Sequence, residues 1–249
     1  MNVELSKISA RAPESLSKAD GKAQLEKLLE EIAALQNLLM ADHNHSLLVV
    51  IQGMDASGKD GLIRTVFGAM NPMGIRVQAF KAPTEEEASH DFLWRIHKHT
   101  PARGQVMVFN RSQYEDLIMP AIRNTISKTD WNHRAQSIND FERHLTQNSN
   151  THILKLFLHV SHEEQHKRLQ ERMDVPEKMW KYNANDLVES ARWDDYMAEY
   201  ETIFKQCSEV PWQIIPADQN WYKELLVAQQ VVATLQALPM AFPGMKQDS

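Results

Sequence analysis

Five apolar runs recur along the chain, and each one ends in small or polar residues. They occupy residues 47–51, 75–80, 105–109, 153–160 and 212–216. The second run alternates apolar and polar residues, whereas the fourth is almost continuously apolar, as the central strands of a parallel sheet are. Segments whose apolar residues recur at helical spacing separate the runs. The pattern therefore predicts an α/β fold with a doubly wound, five-stranded parallel sheet.

The helices predicted between these runs differ in length. Leucine and isoleucine recur at helical spacing through residues 25–39, which predicts an amphipathic helix ahead of the first strand. Another helix is expected to run to about residue 100, a third to about residue 124, and a fourth over 137–147. Side chains that can cap helix starts are Thr84 with Glu87, Ser161 with Glu164, and Asp218.

Residues 167–205 differ in composition from the rest of the chain. Lysine and arginine alternate there with methionine, tryptophan and tyrosine, in helical pieces broken at Pro176 and at 183–185. Such a segment suits a mobile lid that brings charge and apolar surface over a bound substrate. An ordinary helical hairpin, whose basic side chains pair with neighbouring acids, accounts for the pattern equally well. We expect a single domain over 1–249, with this lid and a helical extension at about 1–45.

Composition and charge narrow the class of protein. The 249 residues suit one domain, and the formal net charge of −6 disfavours general binding to nucleic acid. Cys207 is the only cysteine, which excludes an intramolecular disulfide and a multi-cysteine metal site. Residues 1–20 do not look like a signal peptide and no run is long enough to span a bilayer, so we expect a cytoplasmic protein that binds neither nucleic acid nor membrane. Residues 242–249 are expected to form a loose tail.

The segment 53–61, GMDASGKDG, follows the first predicted strand directly and precedes a helix. This order is typical of a phosphate loop (P-loop, or Walker A motif), in which glycines let backbone N–H groups close around phosphate. Lys59 supplies the mobile positive charge that such a loop needs. The usual serine or threonine after this lysine is replaced by Asp60. Together with Asp55, this acid indicates contact with phosphate through magnesium, whereas a glycine-rich turn without function is the alternative.

The third predicted strand runs into a polar segment, NRSQYED. P-loop enzymes place a second magnesium-binding carboxylate at the end of such a strand, which makes Glu115 and Asp116 candidates. Arg111 is a candidate for stabilising the transferring phosphate. Helix capping by Ser112, with the two acids in the first turn, explains the same residues, and both interpretations can hold together. Lys81 lies at the end of the second strand, where ligands bind in open parallel sheets.

Taken together, several segments resemble the family-2 polyphosphate kinases over roughly residues 20–236. The segments are GMDASGKDG at 53–61, FKAPT at 80–84, LWR at 93–95, FNRSQYED at 109–116 and RWDDY at 192–196. The resemblance implies a thymidylate-kinase-like core with a helical lid. It also implies transfer of a phosphoryl group from inorganic polyphosphate to a nucleotide with magnesium, for which manganese can substitute. The family needs no serine or threonine at the position of Asp60.

The same resemblance implies roles for individual residues. Asp55 and Asp116 would hold magnesium, Lys59 and Arg111 would bind the transferring phosphate, and Arg172 would close on it from the lid. Substrate-binding positions carried over from the family are Gly53, Met54, Ala56, Ser57, Gly58, Asp60 and Gly61 in the P-loop, and Lys81, Arg95, Lys181 and Arg192 along the polyphosphate path.

Branches of the family differ in acceptor, and this chain resembles the branch that phosphorylates both AMP and ADP. The resemblance lies in the segment at 109–116, in its Asn110-Arg111-Ser112 start and its Glu115-Asp116 end. A carboxylate at Glu115 can orient the acceptor phosphate through metal or water and so select acceptor length. The implied partners are inorganic polyphosphate, adenine or guanine nucleotides, and copies of the same chain in a dimer or tetramer.

Two other functions fit parts of the sequence. An ATP-dependent nucleoside or nucleotide kinase shares the sheet and the lid, but more often has serine or threonine after the P-loop lysine. A non-enzymatic nucleotide-binding switch is disfavoured, because the sequence holds no Asn-Lys-x-Asp guanine-reading motif and because a lid rich in arginine and lysine exceeds the needs of binding. For the kinase we expect reversible, direct in-line transfer without a covalent enzyme intermediate.

Overall fold

A computed structural model describes residues 3–244 of the chain. One parallel sheet lies at its centre, with the strand order β2-β3-β1-β4-β5. The doubly wound, five-stranded parallel sheet predicted from the apolar runs is confirmed. The strands are β1 (Ser46–Gln52), β2 (Ile75–Ala79), β3 (Val106–Asn110), β4 (Thr151–His159) and β5 (Trp212–Pro216).

Helices cover the sheet in two groups. The first group comprises α1, α2 and α11, in which α11 contacts both other helices as well as β4 and β5. In the second group, α6 packs on β4 and on α5, and α10 packs on α5. The helices of the described range are α1 (Lys18–Asp42), α2 (Lys59–Val66), α3 (Glu85–Ser89), α4 (Trp94–His97), α5 (Glu115–Ile122), α6 (Lys128–Asn148), α7 (His162–Asp174), α8 (Pro176–Met179), α9 (Ala184–Ser190), α10 (Trp193–Gln206) and α11 (Asn220–Gln236).

The strand β1 forms the middle of the core. All seven of its residues are buried, and Val49 lies opposite Val108 of β3 and Leu154 of β4. The edge strand β2 is only partly buried, which explains its alternating sequence. Because the strands are parallel, the carboxyl ends of β1, β3 and β4 lie at one edge of the sheet. The loops that follow these strands therefore meet there.

The first long helix packs within this chain. Ile32 and Leu39 of α1 are fully buried, and the helix lies along α11. Gly21 permits the close approach, because a Cβ atom at this position would lie 2.4 Å from the ring of Trp221. The apolar stripe predicted over 25–39 thus contributes to the core.

The prediction of one continuous helix from Thr84 to about residue 100 is wrong. The capping box is present, since Thr84 Oγ1 accepts a hydrogen bond from the amide of Glu87 at 3.2 Å and the Glu87 carboxylate accepts one from the amide of Thr84 at 2.9 Å. The chain then leaves the helical path at His90 and resumes it in α4. Asp91 accepts from the amide of Leu93 at 3.0 Å, a local turn that competes with a continuous helix.

Two of the predicted helix caps form different contacts. Ser161 accepts from the amide of Glu164 and caps α7, as predicted. Asp218 does not cap α11, because its carboxylate accepts instead from the amide and the hydroxyl of Ser161 at 2.7 and 2.9 Å. The helix α5 begins after Tyr114, so the interpretation of Ser112 as its cap is wrong.

The composition change at 167–205 covers two kinds of structure. The helix α7 ends ahead of Pro176, and α8 and α9 are short, so the predicted breaks are confirmed. Trp180 between them is 77% exposed. By contrast, α10 buries Tyr200 and Phe204 in the core. We call residues 175–192, which extend beyond this core, the lid segment.

Within residues 3–244, no helix has both the length and the apolar character needed to cross a bilayer. Most of the tail predicted to be loose, residues 245–249, lies outside the described residues.

Candidate active site

The turn between β1 and α2 requires unusual backbone angles. Gly53 and Gly58 have φ angles of 151° and 91°, and Ala56 between them has a φ angle of 62°. A Cβ atom on Gly53 would lie 2.9 Å from the carbonyl oxygen of Leu158, which restricts this position to glycine. The N-terminus of α2 opens onto the turn at Lys59. Its free amides and helix dipole favour an anion at this place.

The other P-loop residues have distinct surroundings. Met54 is buried against the core, and the hydroxyl oxygen of Ser57 is buried without a hydrogen-bond partner among the described residues. Gly61 is less constrained, since a Cβ atom there would meet nothing within 4 Å. An unsatisfied hydroxyl in a loop that closes on phosphate leaves a polar group available to a ligand.

The ammonium group of Lys59 lies inside the P-loop. The residue is 8% exposed, and its Nζ donates to the carbonyl oxygens of Gly53 at 2.8 Å and Met54 at 3.1 Å. Burial, together with the charge of Arg111, lowers the pKa of Lys59 to about 8. An incoming phosphate would supply the negative charge that this buried cation lacks.

Arg111 connects the end of β3 to the P-loop. Its guanidinium donates to the carboxylate of Asp55 and, at 3.2 Å, to that of Glu115. The backbone of Arg111 has a φ angle of 64°, a left-handed conformation that is uncommon for a residue with a side chain. Burial tends to raise the pKa of Asp55, but the charges of Arg111 and Lys59 outweigh this effect and lower it. Asp55 is therefore ionised at neutral pH.

A cavity opens between the P-loop and the helices α9 and α10. Four of its lining residues are carboxylic acids, which would repel phosphate unless cations lay between them. Burial and the charge of Asp55 raise the pKa of one of these acids, Asp186. The lining residues are Gly53, Met54, Asp55, Arg111, Glu115, Ile118, Gln165, Asp186, Glu189, Tyr196 and Tyr200.

A divalent cation fits this cavity by the chemistry of its donors. Magnesium prefers oxygen ligands and is commonly held by one or two carboxylates together with substrate phosphates. Asp55 offers an ionised carboxylate beside the P-loop, and Glu115 lines the same cavity. Within residues 3–244, no three His, Cys, Asp or Glu side chains are grouped as a ready-made metal site. The acids present thus suit an ion that is partly coordinated by phosphate.

Asp116, the second predicted metal ligand, makes other contacts. Its carboxylate accepts from Arg95 Nη2 at 3.0 Å, and its carbonyl oxygen accepts from Arg134 at 2.8 Å. Burial raises the pKa of Asp116, although Arg95 opposes this. Arg95 is itself buried and also donates to the carbonyl oxygen of Lys81 at 2.8 Å. Two predicted substrate-binding residues thus contact each other, beside a carboxylate that is absent from the cavity lining.

The basic residues predicted in the lid pair with acids or with backbone. Arg172 Nη1 lies 2.5 Å from Asp186 Oδ2, at the edge of the cavity. Lys181 Nζ lies 3.2 Å from the carboxylate of Asp60, so the lid segment contacts the start of α2. Arg192 donates to the carbonyl oxygen of Ile122 at 3.0 Å, outside the cavity. The ordinary pairing with neighbouring acids, expected as the alternative to a lid, is therefore present for part of this set.

Three residues that the sequence did not indicate donate hydrogen bonds to backbone carbonyl oxygens of the P-loop. Arg168 donates to the carbonyl oxygen of Ala56 at 3.1 Å, and Gln165 donates to that of Asp55 at 3.1 Å. Lys223 donates to the carbonyl oxygen of Gly58 at 3.1 Å, and burial together with the charge of Arg168 lowers its pKa to about 8. Lys223 is the one of these residues that the sequence could have indicated, because it lies in the apolar stripe of the last helix, where a lysine is unusual.

Comparison with known proteins places this geometry in a family. Residues 15–242 match the family described as "Polyphosphate kinase 2 (PPK2)". The chain belongs to this family. It is 44% identical over 238 residues to the AMP/ADP-polyphosphate phosphotransferase of Meiothermus ruber, a match that covers 93% of this chain and 89% of the relative. It is 42% identical over 229 residues to the ADP-polyphosphate phosphotransferase of Rhodopseudomonas palustris, covering 86% and 79% of the two chains.

A solved structure of the polyphosphate kinase 2 family agrees with the fold. The crystal structure of Polyphosphate Kinase 2 from Arthrobacter aurescens is 41% identical in sequence and has a TM-score of 0.95. The match covers 99% of this chain and 90% of the other. The resemblance inferred from the motifs is therefore confirmed at the level of family and P-loop fold, with this chain identified as a kinase.

Proposed function

We propose that this protein is a polyphosphate-dependent nucleotide kinase, which transfers a phosphoryl group from inorganic polyphosphate to AMP and to ADP. The observation that supports this most directly is the convergence of Lys59 and Arg111 on a P-loop in a chain 44% identical to an AMP/ADP-polyphosphate phosphotransferase. Both cations lie where charge develops as a phosphoryl group moves. Adenine nucleotides are the proposed acceptors, and guanine nucleotides are a second acceptor class to be tested.

Transfer is proposed to be direct and in line. Positioning and neutralisation of charge do most of the work in phosphoryl transfer, so no covalent enzyme intermediate is needed. The P-loop amides and Lys59 would bind the transferring phosphate on one side, and Arg111 would contact it from the end of β3. Arg172, beside the cavity, would exchange Asp186 for phosphate. The same contacts stabilise both directions, so the reaction is reversible.

Asp55 is the proposed ligand of a divalent cation, with magnesium as the expected ion. Bound there, the cation would neutralise phosphate charge and fix the orientation of the phosphates. Asp116 remains a proposed second ligand, and this role requires its carboxylate to leave Arg95. Lys81, Arg95, Lys181 and Arg192 are the proposed polyphosphate path. A homo-oligomer and a cytoplasmic location remain predictions.

An ATP-dependent nucleotide kinase is the second candidate, because the P-loop and the cavity suit that donor too. The test is incubation of the purified protein with AMP, long-chain polyphosphate and magnesium without ATP, followed by chromatography of the nucleotides. We expect ADP first and ATP later. The Lys59→Ala variant is the control for contaminating kinases, and it should lose about 10²- to 10³-fold in kcat.

Each result of this incubation has a clear meaning. ATP formed from ADP but no ADP formed from AMP would retain polyphosphate as donor and remove AMP as acceptor. No product from either nucleotide, with product restored by ATP as donor, would favour the ATP-dependent kinase. Equal turnover by the wild type and by Lys59→Ala would contradict the assignment of the site.

A further inference from the structure

A fully buried polar cluster lies behind the loop that carries Arg111. It consists of Tyr114 after β3, Glu142 on α6 and Lys155 on β4, and we call it the buried triad. All three side chains are completely excluded from solvent. None of them lines the cavity, and the proposed transfer gives none of them a chemical role.

The hydrogen bonds of the buried triad are complete and specific. Lys155 Nζ donates to Tyr114 Oη at 2.8 Å, to Glu142 Oε2 at 2.8 Å and to the carbonyl oxygen of Cys207 at 3.0 Å, which uses all three of its donors. Tyr114 Oη donates to Glu142 Oε1 at 2.6 Å. Gln113 donates to the same oxygen at 3.3 Å. Two consecutive residues of the loop are thereby fixed to α6 and β4.

Stability alone does not explain this arrangement. Moving an ammonium and a carboxylate out of water costs free energy that their attraction only partly returns, and apolar residues of similar volume often serve as well or better. The surroundings are otherwise hydrophobic core, with the Trp212 ring 5.0 Å from Lys155 Nζ and 4.8 Å from the Tyr114 ring. What the triad adds is a fixed direction for the loop, because hydrogen bonds are directional and apolar contacts are not.

The loop held in this way is conformationally demanding. Arg111 has a φ angle of 64°, and such backbone persists only where its surroundings over-determine it. On the other side of the loop, the buried Gln52 lies 3.0 Å from Ser112 Oγ. Oriented to satisfy both polar atoms of its amide, Gln52 donates to Glu115 at 3.0 Å. The turn is therefore fixed on one side by Gln52 and on the other by the buried triad.

We propose that the buried triad holds the 111–116 turn in the conformation that directs Arg111 toward the P-loop, so that Tyr114, Glu142 and Lys155 are positioning residues for phosphoryl transfer. The catalytic part of this inference rests on the proposed function. The structural part, the conformation of the turn, does not depend on which reaction the protein performs.

The test replaces the whole triad with apolar residues of similar size, as Tyr114→Phe, Glu142→Leu and Lys155→Met in one chain. Because no charge or hydroxyl of the triad is left unpaired, we expect Tm to stay the same or to rise. We expect kcat to fall about 10- to 100-fold, since a displacement of about 1 Å in a catalytic group costs this much, while KM changes less than about twofold. Amide hydrogen exchange over 111–116 should become about tenfold faster.

A matched control is Ile138→Val. Ile138 is fully buried on α6, the helix that carries Glu142, but it belongs to the apolar core. This variant should lower Tm by a few degrees, leave kcat unchanged and leave exchange over 111–116 as in the wild type. Loss of kcat in this control to the same extent would indicate a general effect of core stability and would overturn the proposal.

Wild-type kcat or wild-type exchange over 111–116 in a folded triple variant would also overturn the proposal. If the triple variant does not fold, Tyr114→Phe alone decides, because it removes the hydroxyl that links the loop to Glu142 and Lys155. Slower turnover with faster exchange supports the proposal, and wild-type values of either quantity overturn it. Absence of polyphosphate activity in the wild type would defeat the proposed function, while the exchange measurement would still decide the role of the triad in holding the turn.

Discussion

The ammonium group of Lys181 donates to the carboxylate of Asp60 at 3.2 Å and so joins the lid segment to the start of α2. The other oxygen of the same carboxylate accepts from Asn110 at 2.9 Å. A serine or threonine hydroxyl usually occupies the position of Asp60 and binds magnesium. Here the side chain connects the P-loop helix, the end of β3 and the lid segment.

Replacement of Asp60 by Asn should loosen the lid segment without affecting overall stability. The pair with Lys181 is partly exposed to solvent, with Asp60 65% exposed, so it contributes at most about 1 kcal/mol. Loss of this energy should speed amide exchange over the lid segment by up to about fivefold while Tm stays constant. Glu209→Gln is the matched control, because it removes an exposed ion pair with Arg143 far from the lid segment. Unchanged exchange in Asp60→Asn would contradict the link.

The pKa of Lys59 predicts how activity depends on pH. Because this pKa is about 8 in the free enzyme, Lys59 is charged well below pH 8, is half neutral near pH 8 and loses its remaining charge as the pH rises further. The value of kcat/KM for polyphosphate reports the free enzyme and should therefore fall above about pH 8. Bound phosphate raises the pKa, so kcat should fall only at higher pH. The residual activity of Lys59→Arg should lack this decline, and an identical decline in that variant would exclude Lys59 as its source.

Glu115 is predicted to control the choice of acceptor. It lines the cavity, and its carboxylate is held by Arg111 at 3.2 Å. Glu115→Asn removes the charge at this place and should change the ratio of the AMP and ADP rates by about tenfold or more, as a misplaced acceptor phosphate would. Glu189→Gln, at another acid that lines the cavity, is the control. An unchanged ratio in Glu115→Asn would show that the acceptor is selected elsewhere.

Asp55 should determine how much divalent cation the reaction needs. Asp55→Asn keeps the shape of the side chain and removes the negative charge that now faces Arg111. We expect the half-saturating magnesium concentration to rise about tenfold or more, as loss of one charged ligand does. Asp194→Asn, an exposed acid at the start of α10, should leave this concentration unchanged. An unchanged magnesium requirement in Asp55→Asn would assign the ion to other oxygens.

The sheet could be predicted from sequence because its signal is local. Each strand is a short apolar run. The P-loop can be recognised from its glycine spacing and from its position between a predicted strand and a predicted helix. The helix after β2 could not be predicted correctly, since Asp91 and His90 interrupt it through a local turn that periodicity does not reveal. Propensity indicates where a helix starts more reliably than where it breaks.

Only the site residues that lie in sequence motifs could be predicted. Lys59, Arg111 and Asp55 lie in motifs, and the structure brings them together. Arg168 and Lys223 lie outside every motif, and they reach the P-loop through hydrogen bonds to backbone carbonyl oxygens, which every residue possesses. Glu115 and Asp116 show the opposite case, in which neighbours in sequence have different surroundings. Glu115 lines the cavity, whereas the Asp116 carboxylate contacts Arg95. Adjacent residues at a helix start point in different directions.

The central place of β1 has a consequence for synthesis of the chain. Leu47 of this strand pairs with Val106 on one side and with His152 on the other, so its second partner is translated much later. At roughly 5–20 residues per second, a ribosome takes several seconds to add that partner. A nascent chain that stops before β4 presents a strand with five consecutive apolar residues, 47–51, and one free edge, which favours association with other chains. Chaperone protection during this interval, and aggregation of fragments that end before residue 151, are the expected results.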